Sequence, residues 1–115
     1  MITDRDIELA ATSHTLEAWY RQHNIPVLAR DGITRYVMHG IDPGGFMRSV
    51  LENDFSAAAT RADATNSRLF KEYAYLLFSC LPSACWGTPE KVQNWINQGG
   101  LHGKDTASIG RHDRA

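Results

Sequence analysis

Residues 66–82, NSRLFKEYAYLLFSCLP, decide the fold. Leu69, Tyr73, Leu76, Leu77 and Cys80 recur at the spacing of one helical face, and Pro82 stops the run because it cannot continue a helix. Aromatic and aliphatic residues cover more than one side of this segment. A helix near 66–80 is therefore expected at the centre of a compact all-α bundle of five or six short helices.

Outward from it, each neighbouring segment carries helix punctuation. Downstream, Thr88-Pro89-Glu90 supplies a cap, a proline at the first helical position and an acid in the first turn. Val92, Trp95 and Ile96 face inward in that helix, and Gly99-Gly100 closes it. Upstream, Asp63 or Thr65 can cap the central helix. Ala57, Ala58, Ala59 and Ala62 would let a short helix lie close to a neighbour. Asp42-Pro43 opens a helix whose buried stripe is Phe46, Met47, Val50 and Leu51. A short helix capped by Asp31 carries Ile33, Tyr36 and Val37 and ends at Gly40, after a connection over 25–32. Thr3 and Asp6 form the pattern of a capping box for a first helix with Leu9, Leu16, Trp19 and Tyr20 on its apolar side. That helix ends at Asn24, since Ile25 before Pro26 avoids the helical region. No stretch alternates long enough to be a strand. Residues 1–100 are thus expected to form a single helical domain, and the polar, aperiodic residues 101–115 a poorly ordered tail.

A chain of 115 residues suits one core, with roughly 65% of the unfolded surface buried at this size. The net charge of −1 counts against a protein that works by neutralising a nucleic-acid backbone, although it leaves nucleic-acid binding as a third-ranked function. Two cysteines are too few for a disulfide scaffold, and no apolar run reaches the ~20 residues of a membrane span. A cytoplasmic location is expected.

Residues 39–66, HGIDPGGFMRSVLENDFSAAATRADATN, hold the candidate site. A helix opening at Pro43, Gly44 and Gly45 presents backbone N–H groups with no bulky side chain in front, which is how anions are held at helix N-termini. His39 before the turn and Arg48 one turn into the helix can reach such a ligand. Arg61 and Asn66 offer further donors, and Trp86, in a link between helices, offers a stacking surface. The alternative is that Asp42 caps the helix, Arg48 and Arg61 pair with nearby carboxylates, and Trp86 plugs the end of the core. The turn lacks the Gly-Lys-Ser/Thr ending of a Walker loop and follows no strand. The five histidines are scattered and Cys80 and Cys85 have no second thiolate pair, so neither a metal site nor catalytic residues are expected, and no cofactor.

The segments HGIDPGGF, LENDFSAAATRADATN and CWGTPEKVQNWINQGG resemble small uncharacterised (hypothetical) proteins of tailed bacteriophages and prophages, over roughly residues 33–100. The resemblance implies a non-enzymatic accessory protein acting in the host cell cytoplasm. Two functions follow as expectations. One is sequestration of an anionic nucleotide-like signal of host defence, through the Gly44-Gly45 turn and the arginines. The other is a protein-binding inhibitor or adaptor acting on a host protein, through an apolar patch rimmed by arginine. A homo-oligomer is compatible with either, because small helical binders often build their sites between subunits.

Overall fold

The computed structural model describes residues 2–103. Among them the secondary structure is wholly helical: α1 (Asp4–His23), α2 (Val27–His39), α3 (Gly45–Leu51), α4 (Phe55–Arg61), α5 (Ala64–Arg68), α6 (Phe70–Ser79), a 3-10 turn (Ser83–Cys85), α7 (Pro89–Gln98) and a last helical turn over 100–103. The all-α class is as expected, with more and shorter pieces in the middle of the chain than five or six helices allow. Asp54 and Asp63 each restart the helix there, accepting the N–H of Ala57 at 3.1 Å and of Asn66 at 2.8 Å.

The helix expected over 66–80 is interrupted at Leu69, whose φ of −102° and ψ of 7° take it out of the α region between α5 and α6. The short helix expected after Asp31 starts earlier, at Val27. Pro26 in extended conformation sets its N-terminus, and Asp31 lies inside it. The capping box at Thr3 and Asp6, the left-handed Asn24 after α1, the Thr88 cap of α7 and the Gly99 end of α7 stand where the sequence puts them.

The core draws side chains from α1, α2, α3, α6 and α7. Tyr36 and Val37 of α2, Tyr73 and Leu76 of α6, Val92 of α7 and Cys85 of the 3-10 turn are all fully buried. Their polar atoms are paired inside. The Tyr36 hydroxyl donates to the Cys85 carbonyl at 2.6 Å, and the Trp95 indole N–H donates to the carbonyls of Tyr36 and Val37 at 3.0 and 3.1 Å. These bonds tie the C-terminal turn of α2 to both segments that follow α6.

Residues 99–103 extend that tie. A Cβ on Gly100 would stand 2.4 Å from the Gly40 nitrogen and 2.6 Å from that of His39, so backbone crosses backbone here and only glycine fits. The tail expected from Leu101 onward is corrected at its start: Leu101 is 2% exposed and belongs to the core. A lone apolar residue after two glycines carries no periodicity, which is why its burial was not visible in the sequence. The remainder of that tail, 104–115, lies outside the described residues.

Candidate binding surfaces

The Gly turn is built by Asp42. One carboxylate oxygen accepts the Gly44 N–H at 3.0 Å and the other accepts from Arg48 at 2.8 Å. The Gly44 bond, more than Arg48, holds the Asp42 carboxyl below the ordinary carboxylate value. Gly44 itself, at φ 92°, is the residue before α3, so the helix begins two residues later than a cap at Asp42 would place it. Arg48 also donates to Glu52 at 3.0 Å and to Gln93 of α7 at 2.8 Å, and the Glu52 bond keeps its guanidinium firmly charged. Arg48 thus bridges α3 to α7, and its fork is engaged by the protein's own side chains.

The N–H groups of Gly45 and Phe46 hydrogen-bond to no described residue. They border a cleft of about 490 Å³ lined by Gly44, Gly45, Asn66, Asp63, Leu28 and Met47 among others. Arg61 lies across Gly45, its Cδ 3.7 Å from where a Cβ would stand, and donates to the buried Ser49 hydroxyl at 2.6 Å. It forms no ion pair with a described residue, so the expected carboxylate network around Arg61 is replaced by a hydroxyl. Asn66 accepts from the Tyr73 hydroxyl at 2.9 Å.

Of the seven residues expected to hold a ligand, Gly44, Gly45 and Asn66 therefore share one cleft, and Arg61 flanks it. His39, Arg48 and Trp86 do not join them. His39 stacks on His102 with ring centroids 4.6 Å apart and an interplanar angle of 5°. Burial first, then the neighbouring His39 and Arg5, depress the His102 pKa. Trp86 packs edge-on against Phe78 at 5.2 Å and lies half-buried against the core, as a plug does. Asp63, which lines the cleft, puts a carboxylate where an anion would sit.

A second surface was missed in the sequence. Between α4 and α6 runs a groove of about 290 Å³. Buried Val50, Ala58 and Leu77 line it together with Phe55, Lys71 and Ala74. Phe55, the first residue of α4, is 74% exposed, with its ring 5.7 Å from that of Phe70. Phe70 in turn meets Phe46 at 5.8 Å, which meets Tyr73 at the same distance, so an aromatic chain runs from solvent into the core. Asn53, at φ 62°, and the Asp54 cap make the turn that delivers Phe55 to the mouth of the groove. The signal in the sequence was the apolar coverage of more than one side of α6. Of that coverage Tyr73, Leu76 and Leu77 are buried, whereas Ala74, Tyr75 and Phe78 face solvent.

Burial pushes the Cys85 thiol up to about 12 and raises Cys80 as well, so neither is thiolate-rich near neutral pH. Among the described residues no group of three or more His, Cys, Asp and Glu is placed to hold a metal ion, and no helix is long and apolar enough to cross a membrane. Comparison with known proteins returns no match, whether to a protein-family model, to a curated protein or to a solved structure.

Proposed function

We propose that this chain is a non-enzymatic binding protein that recognises another protein through the groove between α4 and α6. The observation that carries the reading is Phe55, a large aromatic held 74% exposed over an apolar cleft. Leaving such a ring in water forgoes roughly 1.5–3 kcal/mol of burial, which a partner can recover. The groove's volume falls at the lower edge of the ~300–1,000 Å³ of small-molecule pockets, and its lining is mostly apolar. It suits one anchoring aliphatic or aromatic side chain of a polypeptide better than a phosphate-bearing ligand. Lys71 and Asp54 at its edge supply a polar rim. In the phage setting that the sequence resemblance implies, the partner is a host protein and the place of action the host cytoplasm.

Affinity capture from host extract on immobilised wild-type chain and on a Phe55→Glu variant tests this. A protein retained by the wild type and lost from the variant is the expected result. Equal retention by both would overturn the reading.

A second reading rests on the convergence of Gly44, Gly45 and Asn66 on one cleft beside Arg61. Two amides without a hydrogen bond, and a guanidinium without a carboxylate partner, among the described residues support an anionic ligand there, while Asp63 opposes it. The α4–α6 groove is favoured because Phe55 stays 74% exposed over an apolar lining despite its ring contact with Phe70.

A further inference from the structure

The last helical turn, 100–103, meets the end of α2 through a pair of histidines. His39 closes α2 and His102 lies in that turn, their rings parallel within 5° and 4.6 Å apart between centroids. The two backbones cross beside them, since a Cβ on Gly100 would stand 2.6 Å from the His39 nitrogen. Leu101, between Gly100 and His102, is the side chain that this turn adds to the core. Whatever parts the two rings pulls on Leu101.

Stacked imidazoles tolerate one another when neutral, whereas two imidazolium rings at the same separation are like charges face to face. The surroundings add positive charge. Arg5 of α1 donates to the His102 carbonyl, and Arg35 precedes His39 by one turn on α2. The end of α7 brings neutral groups, with the Gln98 amide donating to the Gly100 carbonyl at 3.1 Å. Among the described residues, the carboxylates close in sequence to the two histidines and Arg5 are engaged or set beside Arg5. Asp42 accepts from Gly44 and Arg48, Asp6 accepts from Thr3, and Asp4 and Glu8 line one cleft with Arg5.

We propose that His39 and His102 form a latch released by acid: closed while the rings are neutral, it opens when both take a proton, and the last turn then leaves α2. The direction follows from proton linkage. Burial first, then His39 and Arg5, hold the His102 imidazole below its ordinary value of about 6.5. The opened turn therefore binds the proton more readily than the closed one, so closure is fully stable above that value and weakens as pH falls through it. Neither histidine lines the α4–α6 groove, so the inference is independent of what the groove binds.

Nuclear magnetic resonance of the full chain tests it, by following the histidine rings and the exchange of the Gly103 amide, which bonds to the Gly99 carbonyl at 3.2 Å. Protection of that amide, corrected for the intrinsic pH dependence of exchange, should fall roughly fivefold between about pH 7.5 and about pH 5.5. The Trp95 indole N–H, bonded inside the core to Tyr36 and Val37, should keep its protection over the same range. The two rings should titrate in separate steps, and His39→Gln should move the His102 step up toward its ordinary value. Either His39→Gln or His102→Gln should remove most of the pH dependence at Gly103. A Gly103 amide already unprotected near neutral pH would overturn the inference, as would protection that does not change with pH. So would an equal fall in the wild type and both variants, or a parallel loss at Trp95, which would mean that acid unfolds the whole domain.

Discussion

The Tyr36 hydroxyl and the Cys85 carbonyl lie 2.6 Å apart, and both residues are fully buried. This bond fastens the end of α2 to the turn that follows α6. Tyr36→Phe removes the donor and leaves the carbonyl unpaired in the core, at a cost of about 1–3 kcal/mol. Urea unfolding should show a lower midpoint with an unchanged slope, because the same surface is exposed on unfolding.

The backbone crossing of Gly40 and Gly100 predicts a larger loss from a smaller change. Gly100→Ala puts a methyl 2.4 Å from the Gly40 nitrogen, at a φ of 70° that disfavours any side chain. Overpacking together with the left-handed backbone should cost at least about 2 kcal/mol. Gly32→Ala, where an added Cβ meets nothing within 4 Å inside α2, is the control and should be neutral or slightly stabilising.

Local chemistry explains what was legible in the sequence. The Thr3–Asp6 box, the Thr88-Pro89-Glu90 start and the Asn24, Gly40 and Gly99 ends depend on residues a few positions apart, and each stands as expected. Where tertiary packing competes with local pattern, the sequence misled. Asp42 bonds the amide two residues on and leaves the helix to begin at Gly45. Leu69 breaks a periodicity that runs straight through it. The site was only partly legible for the same reason. Gly44, Gly45 and Asn66 meet, but the partners of Arg48 on Glu52 and Gln93 depend on how α3 lies on α7. Whether the second side of α6 is buried or open is likewise a matter of how many helices surround it.

Acid should expose the role of Asp42. Its carboxyl is held below the ordinary value, first by the Gly44 N–H and then by Arg48. The stability this contributes is therefore fully present above about pH 4, the unfolded value, and is lost as pH falls through the lower folded value. Asp42→Asn keeps an acceptor for Gly44 but removes the ion pair. The variant should be slightly less stable than the wild type at neutral pH, by little because Asp42 is half-exposed. The difference should close below about pH 4 in denaturant titrations repeated at several pH values.

The cleft beside Gly44 makes a separate prediction. If it holds an anionic nucleotide, thermal unfolding in the presence of cyclic dinucleotides and ADP-ribose derivatives should shift upward by several degrees. Arg61→Ala should abolish that shift, whereas Arg48→Ala should lower the midpoint without altering it, because Arg48 faces Asp42, Glu52 and Gln93. The account favouring the α4–α6 groove expects no shift with any of these compounds.

The most direct measurement uses a photo-reactive phenylalanine analogue in place of Phe55, compared with the same group at Asn94, an exposed position on α7. After illumination in host cells, the account predicts a discrete covalent adduct with another protein from position 55 and none from position 94. Adducts from position 94 alone, or equally from both, would contradict it.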